Sequence, residues 1–439
     1  MKNEGDIFLK NGAAPNPEVP RLVEHLFRRE AGKIVATLTR IFGLGNLQLA
    51  EDLVQEALLR ALQVWSYGEI PRNPAAWIMQ VAKNLALDQL RREHHFKSKE
   101  RSIAGWLEHK ALDAARFDSL FLEREIQDDQ LRMMFACCHP LLSPESQVAL
   151  TLKTLCGFSV TEISRAFLTS EAALAKKLVR ARQKIREADL PFEIPAGDEL
   201  PPRLDSVLHA LYLLFNEGYK ASDGESLVRE ELCREAIRLT GLLVAHPVGN
   251  QPKTHALLAL MLLAAARLST RVDAEGNILL LKEQDRSAWD SGLIAQGLLH
   301  LTQAAAGDEV SEFHLQAGIA ACHCTAADYQ STDWNRILSL YDQLIAINHS
   351  PVIALNRAVV IAQVHGPQAG IASVARISQQ EKIKSYYLLY AVLAELHAQL
   401  NDYSAASAHY RRALELSTTE PERNFLARKL QSSADQHAV

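Results

Sequence analysis

The sequence predicts an almost wholly α-helical protein, made of two small helical modules followed by a long helical-repeat domain. Three observations carry this. Ala, Leu, Glu, Gln and Arg dominate the 439 residues, and most of these are strong helix formers. Glycine is sparse, at 20 residues, and strand-like alternating runs are hard to find. Apolar residues instead recur at spacings of three and four, which marks one face of a helix.

The bulk numbers bound the function. A chain of 439 residues with 48% hydrophobic and 23% charged residues has room for two to four domains with real cores. No apolar run reaches the roughly 18–20 residues needed to span a bilayer. The longest, "HALLALMLLAAARL" at 255–268, stops at a basic residue. The N-terminal "MKNEGDIFLKNGAAPNPEVP" lacks a signal-peptide core and reads as a flexible lead-in. Six cysteines without framework spacing fit a reducing compartment, so a cytoplasmic protein is expected. Net charge is −5, yet the first 190 residues are mildly basic and the remainder is acidic, which points to different partners for the two halves.

The first block spans 21–95. Within it, "AEDLVQEALLRALQVW" (50–65) places apolar residues at 50, 53, 54, 57, 58, 61, 62 and 65, a helical stripe. Asp52, Gln55 and Glu56 line the other side. The next helix opens at "NPAAW": Asn73 can cap it and Pro74 can take the first helical position. It runs on through "WIMQVAKNLALDQLRREHH". Trp77 lies at core spacing from Val81 and Leu85. Arg91 and Arg92 are well placed against the negative end of a helix dipole.

A charged stretch without strong period, 96–127, links this block to a second at 128–190. There "SPESQVALTLKTLCG" (143–157) gives an amphipathic helix with Pro144 in its first turn. A short helix over Thr161–Phe167 and a second over 171–187 come after it. In the latter Leu174, Leu178, Ala181 and Ile185 are spaced 4, 3, 4, so they share one face, and Thr169 or Ser170 can cap it. Lys176, Lys177, Arg180 and Lys184 fall mainly on other faces. Helix, short turn and cationic second helix make a helix-turn-helix, whose second helix fits the major groove. A charge run alone more often faces water; the preceding helix and turn favour DNA.

Proline-rich "LPFEIPAGDELPP" (190–202) reads as an inter-domain linker. The third block, 203–430, is a succession of helical patterns near 204–217, 227–245, 254–268, 291–305 and 312–327. "WNRILSLYDQLIAINHSPVIALNRAVVIAQV" (334–364) reads as the second helix of one hairpin and the first of the next. The clearest unit, "YAVLAELHAQLNDYSAASAHYRRALELS" (390–417), resembles a tetratricopeptide repeat at Tyr390, Leu393, Ala394, Tyr403, Ala406, Tyr410 and Ala413. Pro421 lies near the terminating position, while His397 and Asn401 depart from the pattern. Such a stack would offer a protein- or peptide-binding surface or an intramolecular contact.

"FSVTEISRAFLTSEAALAKKLVRARQKIRE" (158–187) resembles region four of sigma-70-family RNA polymerase sigma factors of the extracytoplasmic-function (ECF) type. "AEDLVQEALLRAL" is similar to the region-two helix of the same family. The resemblance covers about 21–95 and 128–188. It departs from the family at Leu168, where glycine is common in the inter-helix turn. It implies that Asp52, Gln55 and Glu56 bind the clamp of the polymerase largest subunit. The loop Ser66–Arg72 and the helix after it, through Trp77, Lys83, Asn84, Arg91 and Arg92, would open the promoter −10 element. The −35 element would be read through Ser170, Glu171, Lys176, Lys177, Arg180 and Arg182. The long helical tail resembles that of one ECF subgroup, with "LLFNEGYKAS" (213–222) and "PVIALNRAVVIA" (351–362) as signatures of unassigned role.

An enzyme is not expected, since the chain has no phosphate-binding glycine loop and no HExxH. "CCHP" (137–140) and "CHC" (322–324) read as small buried cysteines, because adjacent ligands on a helix diverge. Glu217, Asp223 and Glu225 read as a solvated loop before a cation site. No metal or cofactor is expected. The expected function is therefore that of a sigma factor, partnered by polymerase core and promoter DNA, with the tail regulating. The alternative is a helix-turn-helix regulator or scaffold that never joins the polymerase.

Overall fold

The computed structural model describes residues 16–97, 123–166, 169–220, 228–273, 275–378 and 381–437. Among them no β-strand forms; the one isolated antiparallel bridge joins Val272 and Ile278. The chain divides into two compact units. One comprises residues 1–164 and 169–210, the other residues 165–168 and 211–439. The expected lead-in before residue 16, most of the 96–127 linker, the Leu168 turn, and Asp223 with Glu225 lie outside the described residues.

The first unit opens with α1 (Val19–Phe42), which buries Val23, Leu26, Ile34, Val35 and Leu38. Gly43 stops it by turning to a φ of 87° while its N–H still donates to the Thr39 carbonyl. Helix α2 (Leu47–Tyr67) buries Ala50, Val54, Ala57, Leu58, Ala61 and Trp65, close to the stripe read from sequence; Leu53 and Leu62 are half-buried. Helix α3 (Pro74–Lys97) starts where expected. Asn73 Oδ1 accepts the Ala76 N–H at 3.1 Å, and proline takes the first helical position, where no amide is needed. Trp65, fully buried, holds these helices together, its ring 5.2 Å from that of Trp77.

The second sequence block supplies α4 (Glu123–Cys137), α5 (Pro144–Thr154), α6 (Val160–Ala166) and α7 (Glu171–Glu187). The end of α4 is buried all round through Met133, Met134, Phe135, Ala136 and Cys137. Both blocks pack within the one unit. Gly32 of α1 lies so close to the α5 terminus that a Cβ there would fall 2.0 Å from the Leu155 carbonyl oxygen, so only glycine fits. The proline-rich stretch is shorter than expected from sequence. Helix α8 (Leu200–Tyr219) already contains Pro201 and Pro202 in its first turn, where proline costs no hydrogen bond.

The second unit is a run of helices: the end of α8, α9 (Glu230–Ala245), α10 (Pro252–Ala265), α11 (Ser291–Ala304), α12 (Glu312–Thr325), α13 (Trp334–Ile347), α14 (Pro351–His365), α15 (Pro367–Ile377), α16 (Glu381–Lys384), α17 (Tyr387–Gln399), α18 (Tyr403–Leu416) and α19 (Glu420–His437). Apolar on all sides, α10 is the most buried of them, as such helices must be. The α17–α18 hairpin packs Ala394, Ala406, Tyr410 and Ala413 with Leu426 of α19. Asn401 turns the hairpin at a φ of 60°; asparagine tolerates this left-handed conformation better than most residues. Pro421 falls in the first turn of α19.

Candidate nucleic-acid interface

Helix α7 is built as a two-faced rod. Ser170 caps it, its hydroxyl accepting the Ala173 N–H at 3.2 Å. Leu174, Leu178, Ala181 and Ile185 are 1–3% exposed and form its inner face. On the outer face Ser170, Glu171, Lys176, Arg180, Gln183 and Lys184 are exposed. So is Val179, at 59%, an apolar residue among the cations that the helical spacing did not single out.

The remaining two cations proposed for DNA are engaged. Lys177 is half-buried and pairs with Glu145 of α5, which holds the Glu145 carboxyl below its ordinary range. Arg182 turns inward: its side chain is 14% exposed, and its guanidinium donates to Glu51 of α2 at 2.7 Å. Nothing in the helical spacing of α7 records this partner; the packing of α2 against α7 shows where Arg182 points.

On α2, Asp52, Gln55 and Glu56 are all exposed. Asp52 accepts from Gln48 at 2.8 Å and Glu56 pairs with Arg60 at 2.9 Å, both within one helical turn. Beside them α1 and α2 leave an apolar groove of about 360 Å³, lined by Val23, Phe27, Gln55, Leu58, Leu59 and Leu62. Leu59, Val64 and Tyr67 of α2 are exposed at 53%, 44% and 64%.

The α3 candidates are more mixed. Trp77 is half-buried against Trp65. Lys83 is half-buried, while Asn84 is exposed and accepts from Gln80 at 3.0 Å. Arg91 and Arg92 are exposed, Arg91 near Asp88 at 3.3 Å.

Cys137 and Cys138 are buried, and burial drives both thiols up, Cys138 to about 11. Cys322 and Cys324 are only half-buried, a correction to the sequence reading. Among the described residues no group of three metal-ligating side chains converges, and no helix is long and apolar enough to cross a membrane.

Two families match this part of the chain: Sigma-70 region 2 over residues 26–96 and Sigma-70 region 4 over residues 132–185. The chain belongs to the sigma-70 family of RNA polymerase sigma factors, in its ECF type. A probable ECF RNA polymerase sigma factor of Mycobacterium tuberculosis, SigI, is 26% identical over 51% of this chain and 81% of its own length. The ECF sigma factor BldN of Streptomyces coelicolor is 27% identical over 38% of this chain and 66% of its own length. An uncharacterized protein of Rhizobium meliloti is 36% identical over 90% of this chain and 92% of its own, so it shares the helical tail as well. Within that tail, residues 203–305 match a family of unknown function, DUF6596.

The sigma factor's tail contains a polar network that the sequence does not announce. Lys220 pairs with Glu422 at 3.0 Å and donates to the Tyr387 hydroxyl at 3.1 Å, tying α8 to α17 and α19. The Arg271 guanidinium lies 3.9 Å over the Tyr219 ring. Arg286 donates to the His323 and Ala326 carbonyls at 2.7 and 2.9 Å, closing the C-terminal end of α12. The unassigned 213–222 signature thus carries two anchors, Tyr219 and Lys220.

Proposed function

We propose that this sigma factor reads the −35 element with the outer face of α7 and docks on the polymerase clamp with α2. The observation that supports this best is the division of α7. Four apolar residues are sealed inside while Lys176, Val179, Arg180 and Gln183 face out together, as a groove-entering helix requires. Arg180 and Lys176 neutralise phosphates. The exposed Val179 offers an apolar surface of the kind that meets a thymine methyl.

On α2, Asp52, Gln55 and Glu56 would meet the clamp of the largest subunit, with the adjoining apolar groove taking a side chain from it. The exposed end of α3, with Asn84, Arg91 and Arg92, would hold the separated −10 strand by amide and phosphate contacts. The half-buried Trp77 would offer one ring edge at most. The helical tail would regulate or stabilise this arrangement, through a protein partner or through the sigma factor itself.

Charge reversal tests the assignment. With Asp52→Lys and Glu56→Lys, binding to core polymerase should be lost, while the salt-dependent affinity of the free protein for duplex DNA stays. Unchanged core binding would remove α2 from the interface. Added to core polymerase, the wild-type chain should raise specific initiation at promoters of its own regulon; no rise over core alone would defeat the whole reading.

A further inference from the structure

Three arginines gather in the second unit without a counter-charge. Arg267 and Arg271 follow α10, Arg286 precedes α11, and all three are half-buried. Tyr219, at the end of α8, holds the first two. Arg267 donates to its hydroxyl and Arg271 to its backbone carbonyl, and their guanidinium carbons lie 5.7 and 3.9 Å from the ring centre. Burial lowers the Arg271 guanidinium from its ordinary value, and the charge of Arg267 lowers it further. Arg286 closes the end of α12, and its charge and that of Arg267 both act on His323 and Cys324 there. Among the described residues none of the three forms an ion pair with a carboxylate. Asp328, whose charge reaches Arg286, is turned into its own loop and accepts the Ser331 N–H at 2.7 Å. The neighbouring Lys220 is already neutralised by Glu422.

We propose that Arg267 and Arg271 form a binding site for a small molecule carrying a phosphate group. A guanidinium has several N–H donors in a rigid fork. Arg267 and Arg271 each make one hydrogen bond, so most of their donors find no partner in the protein. Two buried nitrogens nearby are also unpartnered, Trp289 Nε1 and His323 Nδ1. The Trp289 ring lies 5.1 Å beneath the Arg286 guanidinium, and the Asp290 N–H ties this stretch to the end of α10 through the Ala266 carbonyl at 2.8 Å. Holding like charges together half out of water costs free energy until an anion joins them. The C-terminal dipole of α10 offsets only about half a charge. A phosphate monoester brings close to two negative charges and accepts from both forks, whereas a carboxylate would neutralise one arginine and leave the other. The half-buried position admits a small solute more readily than the backbone of a duplex. Tyr219 is a positioning residue, fixing both guanidinium groups. Neither α2 nor α7 takes part, so the site stands or falls apart from the promoter reading.

The test is isothermal titration of the full chain with phenyl phosphate at constant ionic strength, with sodium acetate as the comparison. Phenyl phosphate should bind saturably, with a Kd at or below about 1 mM, and acetate at least about ten-fold more weakly. Arg267→Gln should weaken phenyl phosphate by about ten-fold or more, as loss of a charge-assisted hydrogen bond does. Tyr219→Phe keeps the ring and the backbone carbonyl and removes only the hydroxyl that orients Arg267. It should weaken binding by less, with the unfolding midpoint unchanged, and it covers the case in which the Gln variant folds poorly. No saturable binding by the wild-type chain, equal binding of acetate, or undiminished affinity in the folded Gln variant or in Tyr219→Phe would overturn the proposal. Displacement of phenyl phosphate by an unlabelled DNA duplex would assign the site to a nucleic-acid backbone and overturn the small-molecule reading.

Discussion

Leu178 and Val179 are neighbours on α7 with opposite surroundings, 2% and 59% exposed, and they should respond oppositely to the same truncation. Leu178 packs with Leu174, Ala181 and Ile185 on the buried face. Cutting it to Ala removes the transfer energy of the lost carbons and leaves a cavity, at a cost of about 2–5 kcal/mol. A value near 3 kcal/mol shifts the folded-to-unfolded ratio about 150-fold and lowers the midpoint of a unit this size by about 6–12 °C. Val179→Ala removes no buried contact. Its cost should stay within about 0.5 kcal/mol, and the better helix propensity of Ala pulls toward stabilisation by a few tenths. A chain with two compact units need not unfold in one step, so the readout is hydrogen exchange of peptides spanning 170–187, which reports local opening. Exchange in Leu178→Ala should quicken by roughly two orders of magnitude and in Val179→Ala hardly change. Equal effects, or a larger one at Val179, would mean that the inner and outer faces of α7 are misassigned.

Single contacts make further outcomes predictable. Lys176→Ala or Arg180→Ala should each lower the log–log salt slope of DNA binding by about one, with thermal stability unchanged; a constant slope would place those cations in water. Asn401→Ala should destabilise the α17–α18 hairpin by about 1–2 kcal/mol because the site needs a positive φ, while Asn401→Gly stays within about 0.5 kcal/mol in urea denaturation. Burial, and after it the nearby Arg267 and Arg286 guanidinium groups, holds the His323 imidazole down to about 4. The folded chain therefore binds fewer protons than the unfolded chain between about pH 6.5 and 4. The second unit should lose stability as pH falls through that window. In His323→Gln that fall should flatten, measured as midpoint against pH.

Periodicity made the helices legible because each is long enough to repeat its spacing. The 50–65 stripe, the Asn73 cap and the four buried positions of α7 were all readable from residues alone. So were the ranges of α9 through α12 to within a few residues. Long-range pairing was not legible. Nothing in the spacing of Glu51 or Arg182 records that residues 131 positions apart share a hydrogen bond. The same holds for Lys220 and Glu422, which pair at 3.0 Å from near opposite ends of the second unit's sequence. Cys322 and Cys324 show a subtler limit: small size suggested burial, but their positions on α12 decide it, and both remain half-exposed.

The Glu51–Arg182 pair, buried between α2 and α7, has an energetic consequence of its own. A buried ion pair is a poor source of net stability, because desolvating both charges offsets most of their attraction. Removing one partner is costly, because it leaves the other charge buried and uncompensated. Arg182→Ala alone should therefore destabilise the first unit by about 3–5 kcal/mol, while Glu51→Leu with Arg182→Met should leave it unchanged or more stable, both read as unfolding midpoints. A double variant that loses as much stability as the single one would show that the pair contributes net stability beyond the packing of its carbon atoms.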